Sequence, residues 1–138
     1  AFHFPSRCAF FEEAFRVLRP GGVLSFSDVP TQRSPRTPAE LIAGFGQLRL
    51  WGLRADSVAS SFDIARAVER AGFEDVHMEL CGDRVIDPAI RFALRRLPQT
   101  RHALTFSQRL AVGVLLRHVA LLRRKGMLEY MLLSARKP

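Results

Sequence analysis

The run Leu18-Arg19-Pro20-Gly21-Gly22 constrains the fold of this chain more than any other stretch. Pro20 cannot continue a helix, and Gly21-Gly22 permit a tight reversal of the chain. Residues 23–29 are mostly apolar and bounded by turn signals, which is typical of a strand covered on both faces in a parallel α/β sheet. A helix is predicted before the turn, because apolar residues repeat there at helical spacing after Ser6, a plausible N-cap. The repeating residues are Phe11, Ala14, Phe15 and Leu18.

Polar residues lie at the two ends of this helix–strand unit. His3 precedes the helix, and Asp28 lies near the end of the strand. Ligands of open α/β sheets bind outside the carboxyl ends of the strands, and both residues are expected at that edge. Two interpretations stay open at this point. The residues form a pair in which Asp28 orients the imidazole of His3 as a general base, or they are a loop histidine and a turn-capping aspartate.

Caps mark three later helices. Thr37 precedes Pro38, a residue favoured at the first helical position, and Ser60 or its neighbour begins the next helix. Thr105 begins a longer helix through a capping box. A shorter basic helix is predicted over residues 89–97. These helices separate the first strand from two further strands.

The two further strands have different patterns. Val76, Met78 and Leu80 alternate with charged or polar residues, which predicts a strand with one buried face near a sheet edge. Residues 127–133 are predicted to form the last strand, and residues 136–138 a tail. The order of helices and strands indicates an α/β fold in which the first two helix–strand units contribute parallel strands.

The positive charge of the chain is concentrated in one segment. Residues 83–125 hold ten basic and two acidic residues, whereas the rest of the chain holds eleven of each sign, so this segment carries the whole net charge of +8. Such a segment can attract nucleic acid, anionic lipid or an anionic small molecule, or it can be a solvated helix face. Only Phe92 and Phe106 interleave with the arginines, which argues against stacking on single-stranded nucleic acid. The amphipathic last helix suits a membrane surface or a cap over a pocket.

Cysteine usage and apolar segments bear on location. Cys8 and Cys81 are the two cysteines, and neither has the sequence spacing of a zinc site. Without a secretory leader they are expected to be free thiols in a reducing compartment. The longest uncharged run of the last helix, residues 110–116, is too short to cross a bilayer. A soluble cytoplasmic protein is therefore expected.

Several strings in the first 29 residues belong to one family pattern. They are Ala1-Phe2-His3-Phe4, then Arg16-Val17-Leu18-Arg19-Pro20-Gly21-Gly22, and Asp28. Together they closely resemble the middle of class I S-adenosylmethionine-dependent methyltransferases, nearest to the branch that acts on natural products, sterols and quinones. A weaker resemblance extends to about residue 82 and covers residues 127–136.

The resemblance implies the C-terminal part of a Rossmann-like methyltransferase sheet, of class α/β with helical insertions. The end of the fourth strand would be followed in space by the fifth, seventh and sixth strands, with the last strand antiparallel. Residues 1–29 would form the loop after the fourth strand, a helix and the fifth strand, residues 61–82 a helix and the sixth strand, and residues 127–136 the seventh. Residues 30–60 and 83–126 would be insertions that cover the substrate.

The resemblance also implies roles for single residues. His3 would be the general base and Asp28 its orienting partner, although in relatives without that chemistry the same residues line the pocket. Phe45 and Trp51 would contact the acceptor, or they belong to the core. The residues that would border the cofactor S-adenosylmethionine are Ala1, Phe2, His3 and Arg7.

The chain departs from the family pattern in one large respect. It lacks the glycine-rich loop and the ribose-binding acid, and Gly44-Phe45-Gly46 does not follow a strand. The chain is therefore expected to be the C-terminal half of an enzyme and to bind the cofactor poorly alone. Its expected partners are a small-molecule acceptor and either the N-terminal half or another copy of the chain, because its first strand would have an open edge. The alternative is a non-catalytic module whose residues 89–125 contact anionic lipid or nucleic acid, with no specific nucleic acid expected.

Overall fold

A computed structural model describes residues 6–50 and 58–138, except the side chains of Phe45, Gln47, Leu48 and Leu50. The described residues form helices and strands in the order that the sequence predicts. In chain order these are α1 (Arg7–Val17), β1 (Val23–Asp28), α2 (Pro38–Leu50), α3 (Ser61–Arg70), β2 (Glu74–Leu80), α4 (Ile86–Arg96), a 3-10 helix (Leu97–His102), α5 (Phe106–Arg124) and β3 (Met131–Arg136).

The three described strands form one sheet in the order β1-β3-β2. β3 lies between the other two and runs antiparallel to both, so β1 and β2 are parallel to each other. This is the predicted arrangement of a fifth, a seventh and a sixth strand, and it is confirmed. Met131, the first residue of β3, is opposite both Asp28 at the end of β1 and Leu80 at the end of β2.

Helices α1 and α3 cover one face of this sheet. Phe11 of α1, Val68 of α3 and Met131 of β3 are fully buried and belong to the same cluster. The ring of Phe26 in β1 packs against Phe11, with centroids 5.2 Å apart. The main core therefore lies between this helix pair and the sheet. Burial of side chains of this size contributes about 1.5–3 kcal/mol each.

The opposite face of the sheet is open among the described residues, which corrects two predictions. β1 is not covered on both faces, because the helices of the main core lie on one side only and Val23 is 60% exposed. Met78 and Leu80 share the buried face with their partners in β3 but are still 41% and 40% exposed. The reason is that β2 is an edge strand of the described sheet.

The predicted N-caps are confirmed, whereas the basic helix α4 begins at Ile86 rather than at residue 89. Ser6, Ser60 and Thr105 are N-caps, and Thr37 makes the same contact at the start of α2. Each hydroxyl accepts a hydrogen bond from the backbone N–H three residues later, at 3.1 to 3.3 Å. Such caps satisfy an otherwise unpaired helix amide and contribute about 1 kcal/mol each.

The C-terminal segment differs from its prediction. The last strand begins at Met131 rather than at residue 127 and extends to Arg136, because residues 127 and 128 pack with Leu122 of α5 in a second core cluster. Lys137 is not part of a loose tail. Its ammonium group donates to the carbonyl oxygens of Phe15 and Leu18 at 2.6 and 2.8 Å, which fixes the end of the chain against α1.

Helices α2, α4 and α5, which lie in the two segments predicted to be insertions, gather near the carboxyl end of β1 and are called the insertion helices below. The second core cluster contains Leu122 of α5, and Val29, Ala43 of α2 and Ile86 of α4 pack against it. Neither these helices nor the other helices within the described ranges are long and apolar enough to cross a membrane. Because Val29, the residue after β1, packs with these helices, they lie beside the sheet edge at which a ligand is expected.

Candidate functional site

The carboxyl ends of β1 and β2 and the start of β3 meet at one edge of the sheet. Asp28 and Leu80 are both opposite Met131 across the two ladders. Val29, the residue after β1, packs with the insertion helices. Open α/β sheets bind ligands outside this edge, so the charged groups here are the candidates for function.

Asp28 is fully buried at this edge and is held by Arg7, the first residue of α1. Arg7 Nε donates to Asp28 Oδ2 at 3.0 Å, and Nη2 donates to Oδ1 at 3.2 Å. The N–H of Val29 also donates to Oδ1, at 2.7 Å. This fork geometry fixes the plane of the carboxylate. It joins the start of α1 to the end of β1, two places separated by 21 residues.

Glu129 is a second buried carboxylate at the same edge. It is 2% exposed and lies two residues before β3. Its Oε1 accepts hydrogen bonds from the N–H groups of Gly82 and Tyr130 at 2.9 and 2.8 Å. Its Oε2 accepts from Gln32 Nε2 at 2.7 Å and lies 3.1 Å from Nη1 of Arg123. One carboxylate thus connects the loops after β1 and β2 with the end of α5.

Gly82 makes the approach of Glu129 possible. A Cβ atom at position 82 would lie 2.1 Å from Glu129 Oε1 and 2.4 Å from Arg123 Nε, closer than side chains approach one another. Arg123 Nε is buried and lacks a hydrogen-bond partner among the described residues, with the nearest Asp87 oxygen 3.9 Å away. A side chain at position 82 would therefore displace the Glu129 carboxylate or the Arg123 guanidinium from this ion pair.

Glu40, in the first turn of α2, forms a third charged cluster. Arg33 binds it through two nitrogens, at 2.8 and 2.9 Å, and Lys125 Nζ lies 3.2 Å from Oε1. The Arg33 guanidinium and then the N–H of Arg36 hold the pKa of Glu40 well below its usual range. This cluster ties the start of α2 to the end of α5, so both insertions are anchored together.

Two depressions border α5. The first has a volume of about 540 Å³, and the second, on the side of α4 and the 3-10 helix, about 350 Å³. His118 in the first depression lies with Nε2 3.3 Å from the carbonyl oxygen of Ala43, which fixes α5 against α2. The first is lined by Gly46, Ser107, Leu110, Ala111, Val114, Leu115 and His118. The second is lined by Leu94, Leu97, Pro98, Arg101, Phe106, Arg109, Leu110, Gly113 and Arg117.

The structure brings together two of the residues that the sequence singled out, Arg7 and Asp28. The side chains of the other five residues proposed for the site are not among those that the structure describes. Phe45 lies in α2, but its side chain is outside the described residues. Ala1, Phe2, His3 and Trp51 lie outside the described residues entirely. The roles proposed for them stay predictions.

Sequence reasoning missed the Glu129 cluster. Its partners Gln32 and Gly82 are 97 and 47 residues away along the chain, and no local pattern links them. One signal was present in the sequence. Glu129 is the first acidic residue after Asp87, at the end of a long basic segment, and an isolated acid next to a strand invites a search for a buried basic partner.

No protein-family model matches the chain. A curated relative, the erythromycin 3''-O-methyltransferase of Saccharopolyspora erythraea, is 31% identical over the whole of this chain. The match covers 47% of that protein, so the chain spans about half the length of the curated relative it matches.

Solved structures share the fold of the chain. The phosphoethanolamine N-methyltransferase 2 of Haemonchus contortus, solved with phosphomonomethylethanolamine and S-adenosylhomocysteine, superposes with a TM-score of 0.81 at 11% identity. That match covers 99% of this chain and 31% of the nematode protein. The cyclopropane synthase MmaA2 of Mycobacterium tuberculosis superposes with a TM-score of 0.74 at 14% identity, over 95% of this chain and 50% of the mycobacterial protein.

The two solved structures share the fold described above, but their names specify different reactions. The fold alone therefore does not identify the reaction. The curated relative agrees with the resemblance carried by residues 1–29, and its match extends over the whole chain. In sequence the chain is similar over its whole length to a methyltransferase, and in fold it is similar to solved methyltransferase and cyclopropane synthase structures, as the resemblance of residues 1–29 to class I S-adenosylmethionine-dependent methyltransferases predicts.

Proposed function

We propose that this chain is the acceptor-side part of an enzyme that transfers a methyl group from S-adenosylmethionine to a small molecule. The observation that carries the proposal is the 31% identity over the whole chain to an erythromycin 3''-O-methyltransferase. Because the chain spans about half of that relative, the proposal includes a remaining half that completes the cofactor site and without which the chain is inactive.

The described residues do not fit the cofactor by themselves. Gly21 and Gly22 follow a helix and precede a strand, whereas the cofactor turn of such folds runs from a strand into a helix. Gly44 and Gly46 lie inside α2. When bound, S-adenosylmethionine supplies an electrophilic methyl group. The residues of this chain proposed to border it are Ala1, Phe2, His3 and Arg7.

His3 and Asp28 are the proposed acid–base pair. A hydroxyl acceptor must lose its proton as the oxygen–methyl bond forms, and a neutral imidazole close to the hydroxyl can accept that proton. His3 is the proposed base. Asp28 supports this role because it is buried at the edge where ligands of such sheets bind. Arg7, four residues after His3, holds the Asp28 carboxylate in one orientation.

The proposed acceptor is a mainly apolar molecule that carries a hydroxyl group. The name of the curated relative, which specifies O-methylation of erythromycin, supports a hydroxyl as the methylated group. The depression between α2 and α5 supports an apolar acceptor, since Leu110, Val114 and Leu115 contribute to its wall. Phe45 and Trp51, in and after α2, are proposed to complete this wall.

The proposal is tested by joining the chain to the N-terminal half of its curated relative and measuring methyl transfer from labelled S-adenosylmethionine to a panel of hydroxylated macrocycles. We expect turnover, and a loss of about 100-fold or more in kcat for the variant His3→Ala, because general bases contribute about 10²- to 10⁴-fold. His102→Ala is the matched control, since His102 is exposed on the 3-10 helix.

Two results would contradict the proposal. A folded fusion that transfers no methyl group to any hydroxylated acceptor argues against the acceptor class. Unchanged turnover in His3→Ala argues against His3 as the base while leaving methyl transfer itself intact. Far-ultraviolet circular dichroism of each variant establishes that the protein compared is folded.

A further inference from the structure

Helix α5 presents an apolar stripe to solvent. Phe106, Leu110, Val114 and Leu121 lie at spacings of four, four and seven residues, so they follow one side of the helix. Their exposed fractions are 74%, 58%, 58% and 39%. A surface helix normally turns its apolar stripe to the core and its charges to water. The buried residues of α5 are Gly113 and Leu122, which are nine positions apart and therefore lie on opposite sides of the helix.

The stripe lies in the most basic part of the chain. There is no acidic residue between Asp87 and Glu129, while residues 83–125 carry the whole net charge of +8. Arg101 and Arg117 are exposed, and both line the depression that Phe106 and Leu110 share with the 3-10 helix. Apolar side chains and guanidinium groups therefore occupy the same surface.

This combination selects among binding partners. A second copy of the chain would bring two strongly basic faces together, which Coulomb repulsion opposes. Nucleic acid would be held by the arginines, but the aliphatic stripe would gain nothing from phosphates and sugars. An anionic lipid surface satisfies both features, because lipid headgroups attract the arginines while the acyl boundary accepts Leu110 and Val114.

We propose that α5, with the arginines on and beside it, forms a docking surface for anionic membranes; membrane binding does not require methyl transfer, although Leu110 and Val114 also line the depression proposed for the acceptor. The helix lies in the plane of the membrane interface with Phe106, Leu110, Val114 and Leu121 toward the acyl chains. Arg101 and Arg117 contact lipid phosphates or carboxylates. The depression that Phe106 and Leu110 share with the 3-10 helix accepts the end of an acyl chain.

The test is co-sedimentation of the 138-residue chain with vesicles of phosphatidylcholine alone, and of phosphatidylcholine with one third phosphatidylglycerol, at low and at high salt. We expect binding to the anionic vesicles to exceed binding to the neutral ones by about tenfold or more and to weaken with salt, since each basic residue near the surface adds a favourable attraction.

Two pairs of variants separate the stripe from charge in general. Leu110→Gln with Val114→Gln should lower the partition coefficient by about tenfold, whereas Ile42→Gln, at an exposed position on α2, should leave it unchanged. Arg101→Gln with Arg117→Gln should lower it by about tenfold, whereas Arg19→Gln, outside the basic segment, should have little effect.

Three outcomes overturn the proposal. One is equal binding to neutral and anionic vesicles. Another is unchanged vesicle binding in the Leu110→Gln, Val114→Gln variant. The third is an absence of vesicle binding together with salt-dependent binding to duplex DNA, which would assign the arginines to nucleic acid instead. The stripe residues are exposed, so all variants are expected to fold, and thermal unfolding checks that they do.

Discussion

Replacing Gly82 by alanine probes the long-range cluster that joins α5 to the sheet edge. The added Cβ would lie 2.1 Å from Glu129 Oε1, about 0.9 Å closer than the 3.0 Å below which real contacts essentially never occur. The carboxylate cannot move away freely, because Gly82, Tyr130 and Gln32 all donate to it. Arg123 Nε, 2.4 Å from the same Cβ, limits movement on the other side.

The expected cost follows from these contacts. Overpacking a well-filled site costs about 1–3 kcal/mol, and weakening a hydrogen bond to a charged group costs about 1.5–3 kcal/mol. We therefore expect Gly82→Ala to lower the free energy of unfolding by about 3–5 kcal/mol and the melting temperature by about 10 °C or more. Urea unfolding followed by circular dichroism measures the change.

Gly46→Ala is the matched control for this substitution. Gly46 lies inside α2, and a Cβ there would meet no atom of the described residues within 4 Å, so we expect a stabilisation of about 0.5–1 kcal/mol from helix propensity. A second check is the double variant Gly82→Ala, Glu129→Ala. If the clash with Glu129 is the cause, the two effects should fall short of additive by about 1 kcal/mol or more. A change below about 0.5 kcal/mol for Gly82→Ala alone would refute the reasoning, since that is the range of neutral surface substitutions.

Three further predictions follow from other contacts. Arg33 lowers the pKa of Glu40, so ionised Glu40 adds to the free energy of unfolding above the ordinary glutamate pKa, about 4.3, and this contribution is lost as the pH falls below that value. Glu40→Gln should therefore flatten the pH dependence of the free energy of unfolding below about 4.3. A pH dependence that is equally steep in the variant would contradict this. Lys137→Met should lower the free energy of unfolding in urea by about 1–3 kcal/mol. The Lys137 ammonium group donates to the carbonyl oxygens of Phe15 and Leu18 and lies 4.5 Å from the centre of the Phe15 ring. An unchanged free energy of unfolding would mean that these contacts do not fix the end of the chain. Phe11→Ala should cost about 3–5 kcal/mol by opening a cavity in the main core, and a loss below about 1 kcal/mol would show that Phe11 is not central to it.

The features that the sequence predicted well are local. Ser6, Thr37, Ser60 and Thr105 each begin a helix, because a cap involves only residues a few positions apart. Gly72 and Gly126 have positive φ angles of 101° and 69° after α3 and α5, where a glycine is favoured as the helix ends. The strand order came from the resemblance of residues 1–29 to a known family, and no local pattern contains it.

The features that the sequence did not predict depend on distant partners. The start of β3 at Met131 depends on residues 127 and 128 packing under α5, which hydropathy alone does not distinguish from a strand. The position of Asp28 was predicted, but its bond to Arg7 was not, because that contact requires knowing how α1 lies on β1. The outward stripe of α5 was visible as an amphipathic pattern, and only the structure shows which side faces solvent.

The central claim is that this chain is the acceptor-side part of an S-adenosylmethionine-dependent methyltransferase whose cofactor site needs a second half. Isothermal titration of S-adenosylhomocysteine into the chain alone, and into the chain joined to the N-terminal half of its curated relative, tests this claim most directly. We expect no measurable binding by the chain alone and binding with a dissociation constant of about 1–100 μM by the joined protein, equivalent to about 5.5–8.2 kcal/mol. Binding of comparable strength by the chain alone, or no binding by a folded joined protein, would contradict the claim.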